Sequence, residues 1–72
     1  MLAENEKYVV CVDNEYLVAH PYMKSEFVRY SNSPWDGYPF NDFIIAQSFA
    51  QMLSGLVMKH NRVTGELTGG WM

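Results

Sequence analysis

Residues 7–18 read KYVVCVDNEYLV. Two runs rich in β-branched and aromatic side chains, Tyr8 to Val12 and Tyr16 to His20, flank Asp13-Asn14-Glu15, which is the composition of a β-hairpin. With Asp13-Asn14 as a two-residue turn, Tyr8, Val10, Leu17 and Ala19 share one face, and Val9, Cys11, Tyr16 and Val18 share the other. Both faces are then apolar. A sheet built on this pair carries more apolar surface than a single covering element hides.

The rest of the chain is read outward from the hairpin. Pro21 ends or bends the second strand, and EFVRY supplies a third over Phe27 to Tyr30. SNSPWDGYPF, residues 31–40, is a loop by its Ser, Asn, Pro, Asp and Gly content, yet it holds Trp35, Tyr38 and Phe40. Asn41 suits an N-cap, and Asp42 behind it suits the positive end of the helix dipole. Phe40 is placed to staple onto Ile45. The helix is expected from about Asp42 to Ser54, with Gly55 in the left-handed conformation as its stop. LVMKH, residues 56–60, is a further strand. NRVTGEL follows as a turn with a short returning strand, and residues 68–72 as a tail carrying Trp71.

The expected fold is therefore α+β: a three- to four-stranded, mostly antiparallel sheet covered on one face by a single helix, in the order βββαβ. Seventy-two residues make one domain, 1–72, with 1–7 and 68–72 as flexible ends. The single cysteine, Cys11, sits in an apolar run and reads as a buried reduced thiol. The N-terminus has acidic residues where an export signal has basic ones, so a cytosolic, reducing compartment is the expected location. The uncharged stretch from Phe43 to Met58 is too short to cross a bilayer. Eight carboxylates against five basic residues, a net charge of −3, argue against dominant phosphate-backbone binding.

Helical spacing puts Ile45, Ala46, Phe49, Ala50, Met52 and Leu53 on the core side. Gln47, Ser48, Gln51 and Ser54 stand opposite, with Ile44 among them, and no charge falls between Asp42 and Lys59. A solvated helix face usually carries Glu, Lys and Arg. Two readings fit this oddity. Either Ile44 packs under Trp35 or Tyr38 and the loop is a lid, or Trp35, Tyr38, Phe43 and Ile44 form one contact surface. On the second reading the partner-binding residues are Trp35, Asp36, Tyr38, Phe43, Ile44, Gln47 and Gln51, with Asp36 at the rim.

No pattern for nucleophilic catalysis, zinc or phosphate cradling accompanies Cys11, His20, His60 or the glycines, so no catalytic residue, metal or cofactor is expected. AQSFAQMLSGLV after KYVVCVDNEYLV resembles the small hairpin, helix, strand proteins among the early genes of bacteriophages and other mobile elements. The resemblance covers residues 7–60, through Ala46, Phe49, Ala50, Leu53, Gly55 and Val57. The chain departs from that pattern in its uncharged helix surface and in SPWDGYPF. The resemblance implies engagement of a host macromolecule, such as inhibition of a defence nuclease of the anti-CRISPR or anti-restriction type. The expected function is a non-enzymatic protein-binding module, partnered by a host protein or by itself as a homodimer. The alternatives are a nucleic-acid-binding regulator using Arg29, Lys59 and Arg62 beside Tyr30, with Lys24 nearby, or a structural homo-oligomer subunit.

Overall fold

A computed structural model describes residues 4–18 and 29–71. The elements are β1 (Glu6–Val12), β2 (Glu15–Leu17), β3 (Tyr30–Ser31), α1 (Phe43–Leu53), β4 (Leu56–Asn61) and β5 (Leu67–Trp71). They form one five-stranded antiparallel sheet in the order β3-β2-β1-β4-β5, with α1 packed on one face. The α+β architecture is the expected one, with five strands in place of three or four. Ala19 to His20, Lys24 and the proposed strand residues Phe27 and Val28 lie outside the described residues.

Asp13 and Asn14 both take positive φ, 51° and 67°, as a two-residue I′ turn requires, and Val12 pairs with Glu15. The twist of such a turn matches that of its strands, and it fixes the register. Tyr8, Val10 and Leu17 consequently share the core with Phe40, Ala46, Ala50 and Val57. Val9 is equally buried but points the other way, because side chains alternate along a strand.

The sheet meets α1 through Ala46 and Ala50, whose small side chains let the helix backbone approach β1 and β4. Asp42, not Asn41, is the N-cap: its carboxylate accepts from the Ile44 N–H at 2.8 Å. Asn41 instead accepts from the Lys7 ammonium. The ring of Phe40 reaches Phe49, 5.5 Å away, leaving the expected staple partner Ile45 half exposed. At the other end Ser54, not Gly55, is left-handed at φ 60°. Gly55 serves close approach instead, since a Cβ there would lie 2.5 Å from the Cys11 carbonyl oxygen and 2.6 Å from Val12 Cγ2.

Residues 67–71, which the sequence suggests as mostly tail, pair with β4. The register shifts at Val57/Met58, where Gly69 and Gly70 take φ of 90° and 135°. The Trp71 ring folds over Gly69, where a Cβ would collide with it, and meets Phe43 edge-on at 5.9 Å. No helix among the described residues is long and apolar enough to cross a membrane.

Gly55→Ala is expected to lower unfolding stability by about 1–3 kcal/mol through overpacking against β1. Urea denaturation measures it. A gain of about 0.4–1 kcal/mol, the usual effect of removing a glycine at a tolerant site, would contradict the close approach.

Candidate functional site

Two surfaces flank the sheet. On the helix side, the outer arc of α1 presents in angular order Gln51, Ile44, Ser48, Met52 and Ile45, all exposed. Ile44 is 66 % accessible, Met52 69 % and Ile45 45 %. Ile45 and Met52 were expected in the core stripe. The two alanines centre the buried arc, so Phe43, Phe49 and Leu53 become its half-buried margins and Ile45 and Met52 fall beyond it. An open cleft of about 190 Å³ adjoins this arc at the helix start, lined by Tyr38, Pro39, Phe40, Asn41, Asp42 and Ile45.

The opposite face carries Val9, Cys11, Met58 and His60, as the pairings Lys7 with His60, Val9 with Met58, and Cys11 with Leu56 require. The loop after β3 covers part of it. Pro34–Asp36 form a single 3-10 turn, capped by the Ser33 hydroxyl accepting from the Trp35 N–H. The Trp35 ring stands perpendicular to His60 at 4.7 Å and lies against Gly65 in the β4–β5 turn. Gly37 sits close over Val9 and Tyr16. The chain then returns to the sheet plane, where Phe40 exchanges backbone hydrogen bonds with Tyr8 at 2.9 Å.

Arg62 holds this loop down. Its guanidinium donates to the carbonyls of Pro34 and Trp35, each at 3.2 Å, and of Gly37 at 2.9 Å. Burial pulls its pKa below the ordinary arginine value. His60 is fully buried, and neither ring nitrogen has a hydrogen-bond partner among the described residues. Burial, and then the charge of Arg62, lowers its pKa from 6.5.

The seven residues singled out as partner-binding fall in three places. Trp35 and Asp36 belong to the loop on the face away from the helix, where the Asp36 carboxylate accepts from the Ser31 hydroxyl at 2.8 Å. Tyr38 and Phe43 pack against the core on the helix side, and Gln47 is half-buried on α1. Ile44 and Gln51 stand on the outer arc. Trp35 and Ile44 are thus separated by the sheet: they form no joint patch, and Ile44 does not pack beneath Trp35.

Lys59 and Arg62 do not come together either. Lys59 turns toward the helix side, 3.9 Å from Glu6, whereas Arg62 reaches the opposite face. Cys11 is half-buried rather than buried. It lies four residues along β1 from the cross-strand neighbour of His60, about 13 Å away, beyond hydrogen-bond reach. Among the described residues no three His, Cys, Asp or Glu side chains cluster as for a metal ion. Comparison of the chain with protein-family models, curated proteins and solved structures gave no match.

Arg62→Met keeps the aliphatic stem and removes all three hydrogen bonds. It is expected to cost about 1–3 kcal/mol and to raise acrylamide quenching of Trp35, measured in a Trp71→Phe background. Unchanged quenching would mean that the loop is held by something other than this clamp.

Proposed function

We propose that the chain is a non-enzymatic protein-binding module that docks through the outer arc of α1. The observation that carries this reading is the exposure of Ile44, Ile45 and Met52 on one uncharged surface of an otherwise well-packed helix. Contact centres between proteins are depleted in charge and favour such side chains, with Met adapting to irregular partners. The adjoining cleft supports the same reading. At about 190 Å³ it is smaller than the usual small-molecule site, and suits one anchoring side chain from a partner.

Eleven helical residues span only about 16 Å, so the docking surface extends beyond α1 into the cleft to approach the roughly 800 Å² per partner of a stable complex. The resemblance to bacteriophage and mobile-element proteins extends the proposal to a host protein as partner, with inhibition of a defence nuclease as the outcome. Occlusion by a rigid helix face is sufficient for that role.

The test is the double variant Ile44→Asp, Met52→Lys. Both positions are exposed, so stability is expected to stay within about 1 kcal/mol of the parent. Capture of a host protein on the immobilised chain, and any self-association seen by sedimentation at rising concentration, are expected to be lost. A variant that retains the parent's associations overturns the assignment to this face, and a parent that remains monomeric and captures nothing overturns the function.

A further inference from the structure

His60 is a buried imidazole with two unused hydrogen-bonding atoms. The ring that stands edge-on against it is Trp35, which belongs to a loop rather than to the sheet. The loop is anchored at its ends by Val18–Arg29 and Phe40–Tyr8 backbone hydrogen bonds, and in its middle by Arg62. We propose that His60 and residues 33–37 form an acid-sensitive latch, in which protonation of the imidazole releases Trp35 and uncovers the second apolar face of the sheet.

The side chains around the imidazole offer its protonated form no counter-charge. From β4 itself comes Arg62, a cation. From β1 the cross-strand neighbour is Lys7, whose ammonium is turned to Asn41, and from β5 it is Leu67. From the loop, the carboxylate of Asp36 is engaged by Ser31. Tyr16 lies farther along the same face, and burial, then Cys11, raises its phenol, so it supplies no anion near neutral pH. No carboxylate forms an ion pair with His60 among the described residues.

A charged imidazole therefore needs water, and displacing Trp35 admits it with less disruption than breaking β1 from β4. The closed form holds the His60 pKa below 6.5, so protons bind preferentially to the open form. The latch is shut above about 6.5 and is drawn open as pH falls below it, by up to about tenfold per pH unit. Opening exposes Val9, His60 and Met58, a surface on the far side of the sheet from the docking face of α1.

NMR titration of the whole chain from about pH 8 to about pH 5 tests this. The His60 ring proton and the Trp35 indole N–H are expected to follow one single-proton curve with its midpoint below 6.5, while amide signals of α1 stay in place. In His60→Leu the Trp35 signal is expected to remain flat. The proposal fails if His60 does not titrate, if Trp35 stays fixed while it does, if Trp35 moves equally in His60→Leu, or if the α1 signals disappear on the same curve. Should His60→Leu not fold, the parent still decides, because the His60 and Trp35 midpoints must coincide.

Discussion

The central strands of this sheet have no side that tolerates water. Val9 and Val10 are consecutive and both fully buried, and across the pair Val57 and His60, an odd number of positions apart and so on opposite faces, are fully buried too. Alternation along a strand sends consecutive side chains to opposite faces, so two separate coverings are obligatory in a chain of 72 residues. One is α1, pressed close by Ala46 and Ala50. The other is the irregular loop around Trp35, which has no repeating backbone bonds of its own and is tied down instead by Arg62.

The two coverings differ in kind. The helix is held by apolar contact spread over Phe43, Phe49 and Leu53 at its margins, with a backbone that satisfies itself. The loop is joined to the sheet by backbone hydrogen bonds at its ends, and between them the Pro34–Gly37 stretch is held mainly by one guanidinium and by the contacts of Trp35 and Gly37. Distributed packing opens cooperatively with the whole domain, whereas a point attachment opens alone. Both kinds of covering follow from the same demand for cover. The helix keeps a surplus of apolar surface on its outer arc because two alanines suffice to seat it.

Much of this architecture is legible in the sequence because it is local. Asp13-Asn14 dictates the turn, the turn dictates the register, and the register correctly assigns Tyr8, Val10 and Leu17 to one face. The helix span is legible to within one residue at each end, but its caps are not. Asn41 and Asp42 are both competent caps; Asp42 takes the role, and Asn41 is engaged by Lys7, 34 positions away. Ile45 and Met52 are misassigned because periodicity fixes a stripe's width poorly, and the alanines that centre it look unremarkable in a sequence. The face covered by Trp35 is illegible for a different reason: a loop has no period, and its attachment to Arg62 spans more than 25 residues. Leu67–Trp71 are obscured by Gly69-Gly70, which reads as a chain end and turns out to be a bulge.

That bulge bears on how the molecule survives at high concentration. An edge strand with a regular row of free amide and carbonyl groups invites another sheet to continue it, and the result is fibrous aggregation. In β5 the two glycines twist the backbone out of line, and the indole of Trp71 lies across Gly69. The interrupted ladder gives an incoming strand no continuous template. At this border of the sheet the bulge removes the straight template that, beside the bare apolar side chains on the helix, would favour open-ended polymerisation.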